Sequence, residues 1–195
     1  MKKFFVILLL INLFINNANS IEADVFVQST VNRASEILSK NISKEEKMSG
    51  LKIIAKETVD IRGIGFYSLG STMKVLNDNE KKKYFDLFEN YFLKSFSSRL
   101  SEYTNPKIEV KGKNVINKNY TIVNSILVGS RDRPEVKIDW RIYTKNPNDP
   151  LIRDLIIEGL SLARTQKEEF ASVLNSNKDD IKALFKVLDE FSKKN

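Results

Sequence analysis

Residues 154–170 read DLIIEGLSLARTQKEEF. An apolar run at residues 155–157 is followed by Gly159 and then by a segment with helical spacing, which indicates that a strand passes directly into a helix. Such a junction can present a serine side chain at the end of a strand, and Ser161 occupies that place. The stretch therefore predicts a mixed α and β fold, and it raises the question of whether Ser161 is a nucleophile or a helix cap.

The chemistry available to Ser161 is limited by the composition, because the chain contains no histidine and no cysteine. A serine hydroxyl needs an adjacent base, usually an imidazole, before it attacks a substrate. The nucleophile-elbow pattern is also broken, since Ala163 stands where that pattern has glycine. The common zinc, haem, iron-sulfur and thiol chemistries lack their ligands as well. We therefore expect no enzyme activity and no cofactor, and we interpret Ser161 as the N-cap of the following helix.

The beginning of the chain has the pattern of an export signal. Residues 1–20 combine two early lysines, an apolar run and a small-residue site that ends at Ser20. The apolar run of about 12 residues is shorter than the ~20 that a membrane span needs. We expect a cleavable signal peptide at residues 1–20, a single domain at residues 21–195 and a location in a bacterial periplasm.

The charge of the chain points to no particular partner. The formal net charge is +7, and without the two lysines of the signal peptide 30 basic and 25 acidic residues remain. This small excess is spread over lysine-rich helix faces, whereas a nucleic-acid site needs a concentrated basic stripe. We expect no nucleic-acid partner.

The distribution of proline divides the chain into three regions. All four prolines lie between residues 106 and 150, so the preceding region can be helical without interruption. Ser43 and Glu46 form a capping-box pattern at the start of a helix within it. We expect helices at about residues 22–103, strands at about 107–158 and helices at about 161–193.

The middle region alternates between apolar and polar residues. Val136, Ile138, Trp140 and Ile142 alternate with charged residues, which is typical of a strand with one solvent-exposed face. The expected architecture is α+β, with a twisted antiparallel sheet of about four strands, helices packed on one face and an apolar cavity between them.

An aromatic stripe marks the long helix expected near residues 77–103. Phe85, Phe88, Phe92, Phe96 and Leu100 follow one another at spacings of 3, 4, 4 and 4. The stripe has two interpretations: ordinary core packed against the sheet, or the wall of an apolar cavity. Gly63, Gly65 and Gly70 interrupt the apolar segment before this helix, and they indicate either close packing and a mobile wall or simple helix termination.

Two blocks of sequence resemble one known family. The first comprises VDIRGIGFYSLG at residues 59–70, NDNEKKKYFDLFENYFLKSF at 77–96 and LSEY at 100–103; the second is the opening stretch, with its D-x-x-x-E-G-[VL]-S-L pattern. Both resemble the MlaC or toluene-tolerance auxiliary proteins, in the same order along the expected mature chain.

The resemblance implies a periplasmic phospholipid carrier of an envelope lipid-transport system. Such a carrier, expected to be a monomer, exchanges lipid with an inner-membrane ABC transporter complex and an outer-membrane lipoprotein complex. The residues expected to line its slot lie on the long helix, the glycine-containing segment and the inner face of the sheet: Ile64, Phe66, Leu69, Phe85, Phe88, Phe92, Phe96, Val136, Ile138, Trp140 and Ile156.

Two alternatives belong to other classes of protein. A small-pocket enzyme of the isomerase or hydratase type would carry an isolated carboxylate inside its pocket, and Asp154 or Asn124 would be the places to look. A structural envelope protein would have a filled core and would accept no lipid.

Overall fold

The computed structural model describes residues 21–129 and 134–194. The signal peptide expected at residues 1–20 lies outside these residues. The elements follow the expected order of helices, strands and helices: α1 Ala23–Ser39, α2 Lys44–Thr58, α3 Ile61–Leu69, a 3₁₀ helix Gly70–Lys74, α4 Asp78–Leu100, β1 Ile108–Asn117, β2 Tyr120–Leu127, β3 Val136–Tyr143, β4 Leu151–Ile157, β5 Leu160–Ser161, α5 Leu162–Ser176 and α6 Ile181–Lys193.

Polar side chains define the first turns of several helices. The predicted capping box at α2 is confirmed, because Ser43 accepts from the backbone of Glu46 while the Glu46 side chain accepts from the backbone of Ser43. Asn77 and Glu80 make the same reciprocal pair at α4. These caps satisfy backbone N–H groups that have no partner inside the helix, so they fix where each helix begins.

The segment with Gly63 and Gly65 is helical, which differs from the expected interruption. The side chain of Asp60 caps α3 by accepting from the backbone N–H of Gly63 at 2.8 Å. The helix ends at Gly70, whose φ of 59° lies in the left-handed region that glycine adopts without strain. Of the three glycines, therefore, only Gly70 terminates the helix.

The five strands form one open antiparallel sheet in the order β1-β2-β3-β4-β5. Val123 lies opposite Trp140 and Ser125 lies opposite Ile138, and these residues form the buried face. The sequence predicts about four strands, and the additional strand is the two-residue β5, which directly precedes α5. The predicted α+β class is confirmed.

A register shift in β4 corrects one expectation about the sheet. Between Ile152 and Asp154 the pairing with β3 slips by one residue, which leaves Arg153 as an extra residue. Beyond that point Leu155 lies opposite Trp140, while Ile156 lies opposite Asp139. Ile156 is therefore on the other face of the sheet from Ile138 and Trp140, and not on the inner face.

The helices are arranged around the sheet in more than one layer. The elements that pack on the strands are α1 on β1 and β2, α3 on β4, and α5 on β4 and β5. The long helix α4 packs on α2, α3 and α6. Among the described residues, no helix combines the length and the hydrophobicity needed to cross a membrane.

Candidate functional site

Five aromatic side chains of α4, which we call the aromatic ladder, form a continuous series of ring contacts: Tyr84, Phe85, Phe88, Phe92 and Phe96. Tyr84 contacts Phe85 at 5.4 Å and Phe88 at 5.7 Å between ring centroids. Phe88 lies 6.1 Å from Phe92, and Phe92 stacks on Phe96 at 5.8 Å with an interplanar angle of 9°. The ladder thus connects the second and the penultimate turn of the helix by apolar contacts.

The inner part of the ladder is solid core. Tyr84 and Phe88 are fully buried, and the edge of Phe170 meets both rings at 6.5 and 6.1 Å. The Tyr84 hydroxyl donates to the carbonyl of Gly65 at 2.8 Å, and burial raises the pKa of this phenol above its usual range. Phe88 is the member of the predicted stripe at which the first interpretation, packed core, is correct.

The outer part of the ladder is only half-buried. Phe85, Phe92 and Phe96 all retain some exposure, and their spacings of 7 and 4 residues place them on one side of α4. They pack against the hydrophobic core without being enclosed by it. The outer side of the helix therefore presents a strip of aromatic surface that the core leaves partly open.

The sheet has a matching half-buried group at one of its ends, which we call the sheet-end cluster: Ile108, Leu127 and Val136. Ile108 lies opposite Leu127 in the β1-β2 pair, and Leu127 lies opposite Val136 in the β2-β3 pair. All three pack on the core and remain partly exposed. Since the sheet packs on α1, α3 and α5 whereas α4 packs on helices, the two apolar surfaces belong to different layers of the domain.

The residues expected to line a slot fall into four groups in the structure. Ile64, Leu69, Phe88, Ile138 and Trp140 are buried in the core; Phe85, Phe92, Phe96 and Val136 are half-buried. Phe66 is 57% exposed, on the surface of α3, because the inner side of this short helix is taken by Ile64 and Gly65. Ile156 occupies the opposite face of the sheet, as described above.

Sequence reasoning missed Ile108 and Leu127 as members of the site. Both belong to strands that the alternation predicted, so the signal for their inward direction was present. Their partial exposure, however, depends on where the helical layers end.

An open cleft of about 660 Å³, which we call the α3–α4 cleft, lies beside Phe85 at the first turns of α4. Its apolar floor contains Phe66, Met73 and Phe85, and its lining includes Asp60, Arg62, Gly63, Lys74, Lys81 and Arg153. The guanidinium of Arg62 lies 4.1 Å above the ring of Phe85. These cations were also missed from the sequence, where they are not distinguished from the other basic side chains of helix surfaces.

Arg153, the extra residue of the β4 bulge, anchors the base of this cleft. Its Nε donates to Asp60 at 2.6 Å, its Nη1 donates to the Tyr120 hydroxyl at 2.7 Å, and its guanidinium lies 3.7 Å from the ring centroid of Tyr143. Burial opposes the charge, but the hydrogen bonds to Asp60 and Tyr120 hold the pKa of Arg153 above its usual value. The Asp60 carboxylate is thereby engaged with an arginine and with the α3 backbone.

Ser161 has the structural role predicted for it. Its Oγ accepts from the backbone N–H of Arg164 at 3.1 Å, which confirms that it caps α5. The same hydroxyl donates to Asp154 Oδ2 at 2.6 Å, while Oδ1 of Asp154 accepts from the backbone of Ala163 at 2.9 Å. The buried Asp154 carboxylate thus serves the start of α5.

Asn124, the second residue considered for a catalytic site, also makes a structural contact. Asn124 is exposed on the outer face of the sheet and donates to Asp139 at 2.8 Å. Within residues 21–129 and 134–194 no cluster of three or more acidic side chains is suited to hold a metal ion.

The fold and the site define an α+β domain in which an open antiparallel sheet and an aromatic helix enclose a common apolar core. The family model described as MlaC protein matches residues 28–190. The chain belongs to the MlaC family, which confirms the resemblance of the two sequence blocks.

A solved structure agrees with this fold. It is the phospholipid-binding protein from Ralstonia solanacearum, solved in complex with a phospholipid. The two chains superpose with a TM-score of 0.73 at 18% sequence identity, and the match covers 88% of this chain and 97% of the Ralstonia chain. Comparison with curated proteins gives no match.

Proposed function

We propose that this protein is a phospholipid carrier of the periplasm. It would take up one lipid at a time and exchange it with an inner-membrane ABC transporter complex and an outer-membrane lipoprotein complex. Support comes from its membership of the MlaC family and from its fold, which it shares with a phospholipid-binding protein. The observation that carries the proposal is the pair of half-buried apolar surfaces, the outer aromatic ladder and the sheet-end cluster.

The energetic need for such a carrier is large. Exposure of the two acyl chains of a phospholipid to water, about 30 methylenes in all, costs roughly 24 kcal/mol of free energy, at about 0.8 kcal/mol for each methylene. The acyl chains have no hydrogen-bonding groups, so a site for them requires apolar surface and shape rather than polar ligands. Phe92 and Phe96 of α4, and Leu127 and Val136 of the sheet, offer partly exposed apolar surface of this kind.

The packing of the domain indicates which contacts open for the lipid. Phe88 is enclosed on all sides, whereas Phe92 and Phe96 contact each other and retain exposure. Lipid entry therefore opens the packing around the second half of α4 and leaves the Tyr84 and Phe88 core intact. This arrangement allows the carrier to open without unfolding its centre.

The alternative enzyme requires a carboxylate that is free to act on a substrate. Asp154 is bonded to Ser161 and Ala163, and Asn124 lies outside the core with Asp139. We therefore propose a function of binding and transfer without catalysis.

The direct test is native mass spectrometry of the protein purified from a bacterial periplasm without detergent. We expect a one-to-one adduct with the mass of a phospholipid. Phe92→Asp and Phe96→Asp should lose the adduct, because each places a charge against the acyl chains. Val25→Asp is the matched control, since Val25 is an exposed apolar residue of α1 that belongs to neither of the two apolar surfaces. Circular dichroism verifies the fold of each variant.

Two results would contradict the carrier function. One is a protein that carries no lipid and also takes up none from vesicles, which would favour the structural envelope protein. The other is an adduct that persists unchanged in both aspartate variants. The location is tested separately by fractionation and by the mass of the secreted chain, which is expected to begin after Ser20.

A further inference from the structure

The α3–α4 cleft has more cations than carboxylates in its lining. Four cations line it, Arg62, Lys74, Lys81 and Arg153, against the single carboxylate of Asp60. Asp60 is paired with Arg153 at 2.6 Å. Lys81 lies 3.8 Å from Asp78, whose side chain is fully exposed.

Arg62 and Lys74 have no ion-pair partner among residues 21–129 and 134–194, and both are exposed. Their charges lie in a concave surface, and concave walls of low dielectric strengthen the local field. Arg62 also lines the neighbouring groove, together with Glu57, Glu89 and Asp149. Within the α3–α4 cleft itself the cations outnumber the carboxylates, which favours the binding of an anion there.

The orientation of Arg62 is set before any ligand arrives. Its guanidinium carbon lies 4.1 Å from the ring centroid of Phe85, a cation–π contact that restricts the long side chain. The N–H donors of a guanidinium point outward in its plane, where they match the oxygens of a phosphate. Because Arg62 is held in place, less conformational entropy is lost when it binds an anion.

The floor of the cleft leads towards the proposed acyl-chain site. Phe85 forms part of that floor and is also a member of the aromatic ladder. From Phe85 the ring contacts continue through Tyr84 and Phe88 to Phe92 and Phe96. The cleft thus combines charged side chains with an aromatic floor at one end of the aromatic ladder. An amphiphile, which has a charged and an apolar part, needs both kinds of surface.

We propose that the α3–α4 cleft binds the phosphate group of the carried lipid, and that it favours lipids with an anionic head group. This inference rests on the proposed carrier function. Arg62 and Lys74 would contact the phosphate oxygens, and Phe66 and Phe85 would contact the glycerol backbone. The cleft volume of about 660 Å³ is within the usual range for ligand sites.

The preference for anionic lipids follows from the state of Asp60. An ethanolamine head group adds an ammonium beside the phosphate, and that ammonium needs an acceptor. The one carboxylate of the cleft is already engaged by Arg153 and by the backbone of Gly63. A phosphatidylglycerol head group has hydroxyls in place of the ammonium. Its phosphate is attracted by Arg62 and Lys74, and the head group has no positive charge that these two side chains would repel.

The test is a competition between two lipids. Delipidated protein is incubated with vesicles that contain phosphatidylglycerol and phosphatidylethanolamine in equal amounts, re-isolated, and its lipid quantified by mass spectrometry. We expect the wild type to be enriched in phosphatidylglycerol. The double variant R62Q/K74Q should lower the ratio of the two lipids about tenfold, as the loss of two cation contacts implies, while the total lipid per protein stays the same.

The matched control is K118Q/K145Q, which removes the same charge at two exposed lysines outside the cleft. A second variant, R62K/K74R, retains the charges and should retain the preference for phosphatidylglycerol. An unchanged ratio in R62Q/K74Q would overturn the inference. An equal fall of the ratio in K118Q/K145Q would overturn it too, because net charge alone would then explain the preference.

A second arm separates this site from the carrier function and from free phosphate. Glycerol 1-phosphate and inorganic phosphate are titrated into delipidated protein, and amide shifts near Arg62 and Phe66 are followed by nuclear magnetic resonance. We expect glycerol 1-phosphate to bind and R62Q/K74Q to abolish its binding. If that occurs in a protein that takes up no lipid, the carrier function fails and a phosphate site remains. If inorganic phosphate binds as strongly and the lipid ratio is unchanged by R62Q/K74Q, the site binds free phosphate, and its assignment to a lipid head group is wrong.

Discussion

The hydroxyl of Tyr84 in α4 donates to the backbone carbonyl of Gly65 in α3, across 19 residues of sequence and 2.8 Å of space. The same glycine lies against the next ring of the ladder, because a Cβ placed on Gly65 would come within 2.8 Å of Phe88 Cδ1. The close approach of the two helices thus depends on an absent side chain and on one buried hydroxyl.

Replacement of Gly65 by alanine should destabilise the protein. The methyl group would overlap the Phe88 ring, and overpacking of this kind typically costs about 1–3 kcal/mol in the free energy of unfolding. Urea denaturation measures the change. Gly112→Ala is the control, since a Cβ at that position meets no atom within 4 Å. If G65A were as stable as G112A, the α3–α4 contact would be looser than the structure shows.

Replacement of Tyr84 by phenylalanine removes the hydroxyl and keeps the ring. The Gly65 carbonyl then loses a buried donor, so the free energy of unfolding should fall by about 1–2 kcal/mol. Urea denaturation at constant pH measures it, and the slope with denaturant should not change. Tyr67→Phe is the control, on a ring of α3 that is 45% exposed.

Replacement of Ser161 by alanine should affect stability but not lipid loading. The variant loses the N-cap of α5 and the partner of Asp154 Oδ2, and loss of such a cap costs about 0.5–2 kcal/mol. Ser161→Asn should recover part of this loss, because asparagine also caps helices. Both variants are compared by thermal unfolding and native mass spectrometry. A folded S161A protein without lipid would show that the hydroxyl acts on the ligand.

The acid stability of the protein should depend in part on Glu109 in β1. Hydrogen bonds from Lys107 and Lys111 lower the pKa of this carboxyl from its ordinary 4.5 to about 2. Because the pKa is lower in the folded state, the contribution to stability is present above pH 4.5 and is lost as the pH falls towards 2. The side chain is only partly buried and water screens its charge, so the effect is small and should weaken at high salt.

The measurement is the free energy of unfolding between pH 7 and pH 2.5 for the wild type and Glu109→Gln. The difference between them should shrink as the pH falls, whereas Glu135→Gln, a change at an exposed carboxylate before β3, should show no such trend. A constant difference across this range would contradict the coupling to Lys107 and Lys111.

Removal of lipid should lower the thermal stability, if the proposed function is correct. A ligand that binds only the folded state stabilises it by mass action, and at a concentration 100 times the dissociation constant the gain is about 2.7 kcal/mol. Calorimetry of the delipidated protein, before and after incubation with vesicles, measures the recovery of the melting temperature. Phe96→Asp should show no recovery.

Much of the fold is predictable from the sequence, because the signals are local. Ser43 with Glu46 identifies the start of α2, and the alternation around Trp140 identifies β3 and its buried face. The cap role of Ser161 follows from its position between an apolar strand and a helical segment. In each case the decisive interactions join residues only a few positions apart in the chain.

Other features depend on contacts between distant segments. The bulge at Arg153 reverses the direction of Ile156, because the extra residue is accommodated through contacts with Asp60, Tyr120 and Tyr143. Phe88 and Phe92 belong to one stripe in the sequence, yet only Phe88 is enclosed by Phe170 and Gly65.

The sequence by itself therefore determined the order of helices and strands, the caps, the absence of histidine and cysteine chemistry, and the resemblance to the MlaC family. The tertiary structure decided which aromatic rings are core and which are half-open, on which face each β4 side chain lies, and that Arg62 and Lys74 share a cleft. The physical reason is that helical and strand periodicity is written in neighbouring residues, whereas burial and the local concentration of charge arise only when distant elements pack together.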